Sequence, residues 1–177
     1  MHYQNITKAD FLNGIGVRVV LWVSGCSLEC KNCHNPELWQ FNSGKIFDEK
    51  AKKELFEALN KPYIKGLTLS GGHPLEDYNV EKIYDLIKEV KATFINKDIW
   101  LYTGLCWESL MKEEENIKLS KIRKNVISLC DVVVDGPYID ELRDISLAWR
   151  GSSNQRVIDV QRSLKKGKVV LWDKENK

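Results

Sequence analysis

Cys26, Cys30 and Cys33 follow directly on the apolar run Val17 to Val23, in the spacing C-x3-C-x2-C. The run is short, rich in β-branched residues and ended by Ser24-Gly25, so it reads as a strand, and the three thiols must share the loop that leaves it. That spacing can ligate three corners of a cubane iron-sulphur cluster and leave the fourth iron open to another ligand. The alternative is a zinc site with His34 as fourth ligand. Structural zinc normally takes its ligands in two separated pairs, and nothing after His34 supplies the second.

Five cysteines, an odd number with three crowded together, fit thiolate chemistry in a reducing compartment better than a disulphide framework. The amino terminus is polar and no apolar run approaches a membrane span, so neither a signal peptide nor a transmembrane helix is predicted, and the expected location is the cytoplasm. A net charge of +2, from basic and acidic residues mixed along the chain, leaves no electrostatic footprint for nucleic acid or an anionic membrane. The 177 residues, 43% hydrophobic, show no linker or break in composition, so residues 1–177 are expected to form a single domain.

Strand and helix signals then alternate. Asp48 to Asn60 carries Ala51, Leu55 and Leu59 at helical spacing, and Leu67 to Ser70 reads as a strand stopped by Gly71-Gly72. Asp77 to Lys91 is predicted helical, with Val80, Ile83, Ile87 and Val90 on one face and an aspartate as cap. Ile99 to Thr103 is the next strand, and a broken helical stretch from Trp107 to Lys124 leads to Asp131 to Asp135, whose three valines suit a strand buried on both faces. Arg156 to Val160 and Lys168 to Trp172 are further candidate strands.

This order implies an α/β fold with a parallel sheet. A closed eight-stranded barrel needs about 250 residues, so an open partial (βα) barrel is expected. Ligands of such sheets lie at the carboxyl ends of the strands, where the cysteine loop, Ser70 to Pro74, Thr103-Gly104 and Asp135 to Pro137 all fall. Four loops on one rim would form one site.

On these residues the chain resembles the radical S-adenosylmethionine superfamily. Asn13-Gly-Ile-Gly-Val-Arg18, Val23-Ser-Gly-Cys26, Cys33-His-Asn35 with Trp39, and Leu67-Thr-Leu-Ser-Gly-Gly72 are similar to the activating enzymes of glycyl-radical enzymes. Trp100-Leu-Tyr-Thr-Gly104, Asp131-Val-Val-Val-Asp-Gly136 and the segment Arg150 to Asp159 resemble one branch, which activates anaerobic ribonucleoside-triphosphate reductase. The resemblance implies a radical SAM type barrel holding one [4Fe-4S] cluster on Cys26, Cys30 and Cys33. It implies S-adenosylmethionine as second cofactor, one electron from a reduced flavodoxin-like donor, and the glycyl-radical subunit of the reductase as partner. Asn32, Cys33, His34, Gly71, Gly72 and Asp135 are the cofactor-contacting candidates it points to, with Gly25, Asn32 and His34 placed to tune the cluster.

The glycine pair has its own reading, since residues without a Cβ let main chain approach a ligand, although an ordinary strand-ending turn needs the same residues. Three positions depart from the wider pattern: His73 stands where an acidic residue is common, Asn32 where an aromatic one is, and Asn13 in place of an aspartate. Asp135 reads equally as a ligand to S-adenosylmethionine or a nearby cation and as a cap for the Gly136-Pro137 turn. Residues 152–156 read as a polar loop. Cys106 and Cys130 sit among apolar neighbours and are expected to be buried packing. Lys165 to Lys168 and the tail from Asp173 to Lys177 read as solvated surface. The rival functions are an activase of another glycyl-radical enzyme such as pyruvate formate-lyase, an iron-sulphur electron carrier, and a zinc-bound interaction module.

Overall fold

A computed structural model describes residues 1–112 and 116–173. The chain runs β1 (His2–Asp10), β2 (Val17–Val23), a 3-10 turn at Pro36–Leu38, β3 (Lys45–Ile46), α1 (Glu49–Leu59), β4 (Ile64–Gly71), α2 (Asp77–Thr93), β5 (Asp98–Tyr102), α3 (Trp107–Met111), α4 (Ile117–Leu129), β6 (Val132–Asp135), a second 3-10 turn at Asp140–Leu142, β7 (Arg156–Asp159) and α5 (Val160–Lys166). Strands β2, β4, β5 and β6 are parallel neighbours, as expected from the strand and helix order.

The flanks differ from that expectation. The sheet has seven strands in the order β3-β1-β2-β4-β5-β6-β7, with β1, β3 and β7 joined antiparallel. It is a mixed sheet with an open, unclosed outline. Strand β1 escapes a hydrophobic scan because within His-Tyr-Gln-Asn-Ile-Thr-Lys-Ala-Asp only Tyr3 and Ile6 are buried. Val160 begins a helix instead of ending a strand, since the Asp159 side chain accepts from Arg162 N and Gly167, at φ +63°, ends the turn. Lys168 to Trp172 contributes a single bridge, Leu171 to Ile158.

Alternation along the strands separates two faces. Val19, Leu21 and Val23 of β2, Leu67 and Leu69 of β4, Ile99 and Leu101 of β5 and Val133 of β6 pack under α1, α2 and α4. Helix α1 starts where Asp48 accepts from Ala51 N and buries Ala51, Leu55 and Leu59, as predicted. In α2 the cap position is Glu76, whose side chain does not cap, while Asp77 pairs with Arg123 at 2.7 Å. The helical stretch after Trp107 is split between α3 and α4, and α4 continues to Leu129.

The opposite face carries Arg18, Thr68, Trp100, Val132 and Val134. Arg18 is fully buried: Nη2 lies 2.6 Å from Asp98 Oδ1, Nε donates to Thr68 Oγ1, and the guanidinium sits over the Trp100 ring. Trp100, Trp149 and Trp172 meet edge to face, with centroids 5.2 to 5.6 Å apart. Tyr102 and Trp149, packed in this cluster, also line a cavity. No helix of the described residues is long and apolar enough to cross a membrane. Lys165, Lys166 and Lys168 are exposed, and residues 174–177 of the tail lie outside the described residues.

Candidate functional site

The cavity measures about 1060 Å³ and is lined by all four loops expected at the rim: Cys26, Cys30 and Cys33 with Asn32 and His34, then Ser70, Gly71 and Gly72, then Thr103 and Gly104, and finally Gly136. Residues from Tyr138 to Gln155 form its outer wall.

The cysteine loop is held by main chain. Gly25 N donates to Leu38 O and Cys26 N to Trp39 O, so the 3-10 turn folds back onto the start of the loop. Gly72 N and His73 N donate to Val23 O and Gly25 O, tying the loop after β4 to the same residues. Gly71 has a φ of +105°, and a Cβ there would lie 2.6 Å from Val23 O; one at Gly72 would lie 2.7 Å from Gly25 O. The glycine pair is therefore required by its contact with the cysteine loop, whatever ligand it also faces.

Further along, Glu29 and Asn32 take left-handed φ values of +42° and +54°, curling the loop so that all three thiols line the cavity. Asn32 suits that conformation better than an aromatic residue would. Its Nδ2 donates to Asp140 Oδ2 at 2.7 Å, Lys31 pairs with Glu141 at 2.7 Å, and Tyr138 OH donates to Asp140 Oδ1. The loop is thus fastened to the second 3-10 turn across the cavity mouth.

All three thiols are free and partly exposed. Burial pushes the Cys26 thiol up, while backbone N–H groups of Leu28 and Glu29 pull it down. Asn35 N donates to Cys33 Sγ at 3.5 Å. Among the described residues no three His, Cys, Asp or Glu side chains converge as the ligands of one ion do, whereas a cubane takes its thiolates at separate corners. A set of three free, soft sulphur donors facing one cavity suits an iron-sulphur group.

Asp135 is placed elsewhere. It is 1% exposed and does not line the cavity. One oxygen accepts from Arg156 Nε at 3.0 Å, and the other from Arg156 Nη2 and from Trp107 N at 2.7 Å. Arg156 also grips Glu108 at 3.0 and 2.8 Å. The carboxylate joins β6, β7 and α3, and both of its oxygens accept from protein donors.

The segment Arg150 to Asp159 is likewise tied inward. Gln155 Oε1 accepts from Gly151 N and Ser152 N, Gln155 Nε2 donates to Gly136 O, and Asn154 Nδ2 to Pro137 O. These bonds set the outer wall of the cavity. Of the two remaining cysteines, Cys130 is buried as expected, but Cys106, at the position before α3, is exposed.

Glu76 and Ser27 were not singled out by the sequence. Ser27 donates to Glu76 Oε1 through N at 2.8 Å and through Oγ at 2.6 Å, and His73 Nδ1 lies 3.4 Å from the same oxygen. Burial works to raise the Glu76 carboxyl, but the bonds from His73 and Ser27 outweigh it and hold it at about 2. His73, buried, reaches Thr103 Oγ1 with Nε2 at 2.8 Å. The only sequence hint is the carboxylate three residues after His73 at a helix start.

Comparison with known proteins agrees with this geometry. The family described as a 4Fe-4S single cluster domain matches residues 12–158. Among similar proteins, the anaerobic ribonucleoside-triphosphate reductase-activating protein of Enterobacteria phage T4 is 43% identical over 157 residues, 89% of this chain and 93% of that protein. The proteins of the same name from Escherichia coli K12 and Haemophilus influenzae are 40% and 39% identical, over 89% and 88% of this chain and 97% and 96% of their own lengths.

Proposed function

The chain belongs to the family of anaerobic ribonucleoside-triphosphate reductase-activating proteins, and from that premise we propose that it installs the glycyl radical of such a reductase by radical S-adenosylmethionine chemistry. Cys26, Cys30 and Cys33 would hold a [4Fe-4S] cluster and leave one iron for S-adenosylmethionine. When bound, this pair supplies a one-electron cleavage of the sulphonium to methionine and a 5′-deoxyadenosyl radical, which takes hydrogen from a glycine Cα of the reductase.

The chain's own residues prepare that site. Gly71 and Gly72 line the cavity with main chain, so a ligand amino group would meet carbonyls there without a side chain between them. Asn32 and His34 flank the third cysteine and border the ligand space. Asp135 supports the wall by fixing Arg156 and the start of α3. The unclosed sheet leaves room for a glycine loop to enter. A reduced flavodoxin-like carrier in the cytoplasm would supply the electron.

The observation that carries the reading is the assembly of three free thiols and the glycine pair around one cavity at the strand ends. The test is anaerobic reconstitution with iron and sulphide, then dithionite, S-adenosylmethionine and the reductase. The expected result is 5′-deoxyadenosine and a glycyl radical signal by electron paramagnetic resonance with the native chain, and neither with Cys30→Ala. Cleavage retained in Cys30→Ala, or zinc in place of iron, would overturn it.

A further inference from the structure

The chain Thr103, His73, Glu76, Ser27 joins three rim loops in one line of side chains. Glu76 Oε1 can only accept, so the ring N–H at Nδ1 is assigned to that side, and Nε2 of the neutral ring then accepts from the Thr103 hydroxyl. Glu76 Oε1 then takes both donors of Ser27, the residue directly after Cys26. Glu76 occupies the cap position of the 17-residue helix α2, yet its side chain bonds none of the helix N–H groups, and only its carbonyl accepts from Asn79 N and Val80 N. Its carboxylate, in a residue 8% exposed, is turned instead onto Ser27 of the cysteine loop.

Resting on the reading of Cys26, Cys30 and Cys33 as a cluster loop, we infer that Glu76 is the positioning residue of that loop: it fixes the Cys26 corner through Ser27 and keeps a negative charge beside the cluster that lowers its reduction potential. Two effects follow. Two charge-assisted bonds to one residue restrain the loop at its first ligand. A fixed anion near the cluster opposes the arrival of an electron, and net charge is one of the levers that set such potentials. A very negative potential is what sulphonium cleavage demands, so the carboxylate favours the proposed reaction at the cost of a harder reduction. His73 holds the carboxylate from the far side while anchored to the end of β5.

The experiment uses the full chain, reconstituted anaerobically, with iron and sulphide content, release of iron to a chelator, and midpoint potential by redox titration as readouts. Glu76→Gln keeps an oxygen for Ser27 and removes the charge. It should load as the native chain does and favour the reduced state about tenfold more, a shift of 59 mV to the positive side for one electron. Ser27→Ala keeps the charge and removes one tether, and should leave the potential unmoved while releasing iron several-fold faster. A loaded Glu76→Gln chain at the native potential overturns the inference. Should Glu76→Gln fail to retain the cluster, Ser27→Ala decides: release at the native rate overturns it, faster release supports it. A native chain that takes up no iron and sulphide overturns the proposed function first, and this inference with it.

Discussion

Replacing Asp135 tests whether that carboxylate is structural or belongs to the cavity. In Asp135→Ala the Trp107 N–H loses its acceptor in a buried position, which costs about 1–3 kcal/mol. Arg156 loses its buried partner as well, but its side chain is 31% exposed and keeps both Glu108 bonds. The second loss therefore falls well below the ~3–5 kcal/mol of breaking a fully buried pair. Together the two come to about 3 kcal/mol, a fall in Tm of roughly 6–12 °C for a chain of this length. Asp135→Asn keeps an acceptor for Trp107 and should cost about 1 kcal/mol. Urea unfolding of the cluster-free chain, followed by circular dichroism, gives both values. After reconstitution, Asp135→Asn should bind cluster and cleave S-adenosylmethionine as the native chain does. An Asp135→Ala chain with the native midpoint, or an Asp135→Asn chain of native stability that has lost cleavage, would refute the reasoning and return the carboxylate to the cavity.

Gly72→Ala places a Cβ 2.7 Å from Gly25 O and 2.9 Å from Leu38 O, both main chain; the loops must part, at about 1–3 kcal/mol, and a native Tm with native iron content would show that the close packing is not required. Acid should weaken the cluster-free chain through Glu76. Its folded value of about 2 lies below the unfolded value of about 4.3, so its contribution is complete above the unfolded value and lost as pH falls towards 2. The loss amounts to roughly 3 kcal/mol, and the urea midpoint of the native chain should fall more steeply from pH 5 to pH 2 than that of Glu76→Gln; parallel slopes would contradict the bonding described.

Elements whose pattern is local were legible in the sequence. The apolar run of β2 and the leucine spacing of α1 each announce themselves over a few residues, and so does the cysteine spacing. Strand β1 was not, because a strand with one wet face and only two buried side chains has no hydrophobic signature. The departures at the site share another cause, which is distance along the chain. Ser27 meets Glu76 across 49 positions, Asn32 meets Asp140 across 108, and Asp135 meets Arg156 across 21. A carboxylate after a buried strand reads the same whether it faces a ligand or an arginine, until the arginine is placed.

The three indoles packed on one another against the sheet also bear on measurement. Trp149 lines the cavity, Trp100 is buried in the strand beneath it, and Trp172 belongs to the last described residues of the chain. Aromatic rings held edge to face in an asymmetric setting produce near-ultraviolet circular dichroism that vanishes when fixed packing is lost. The packing of Trp172 on Trp100 and Trp149 therefore contributes to an intrinsic optical signal, which Trp172→Phe would subtract without a label.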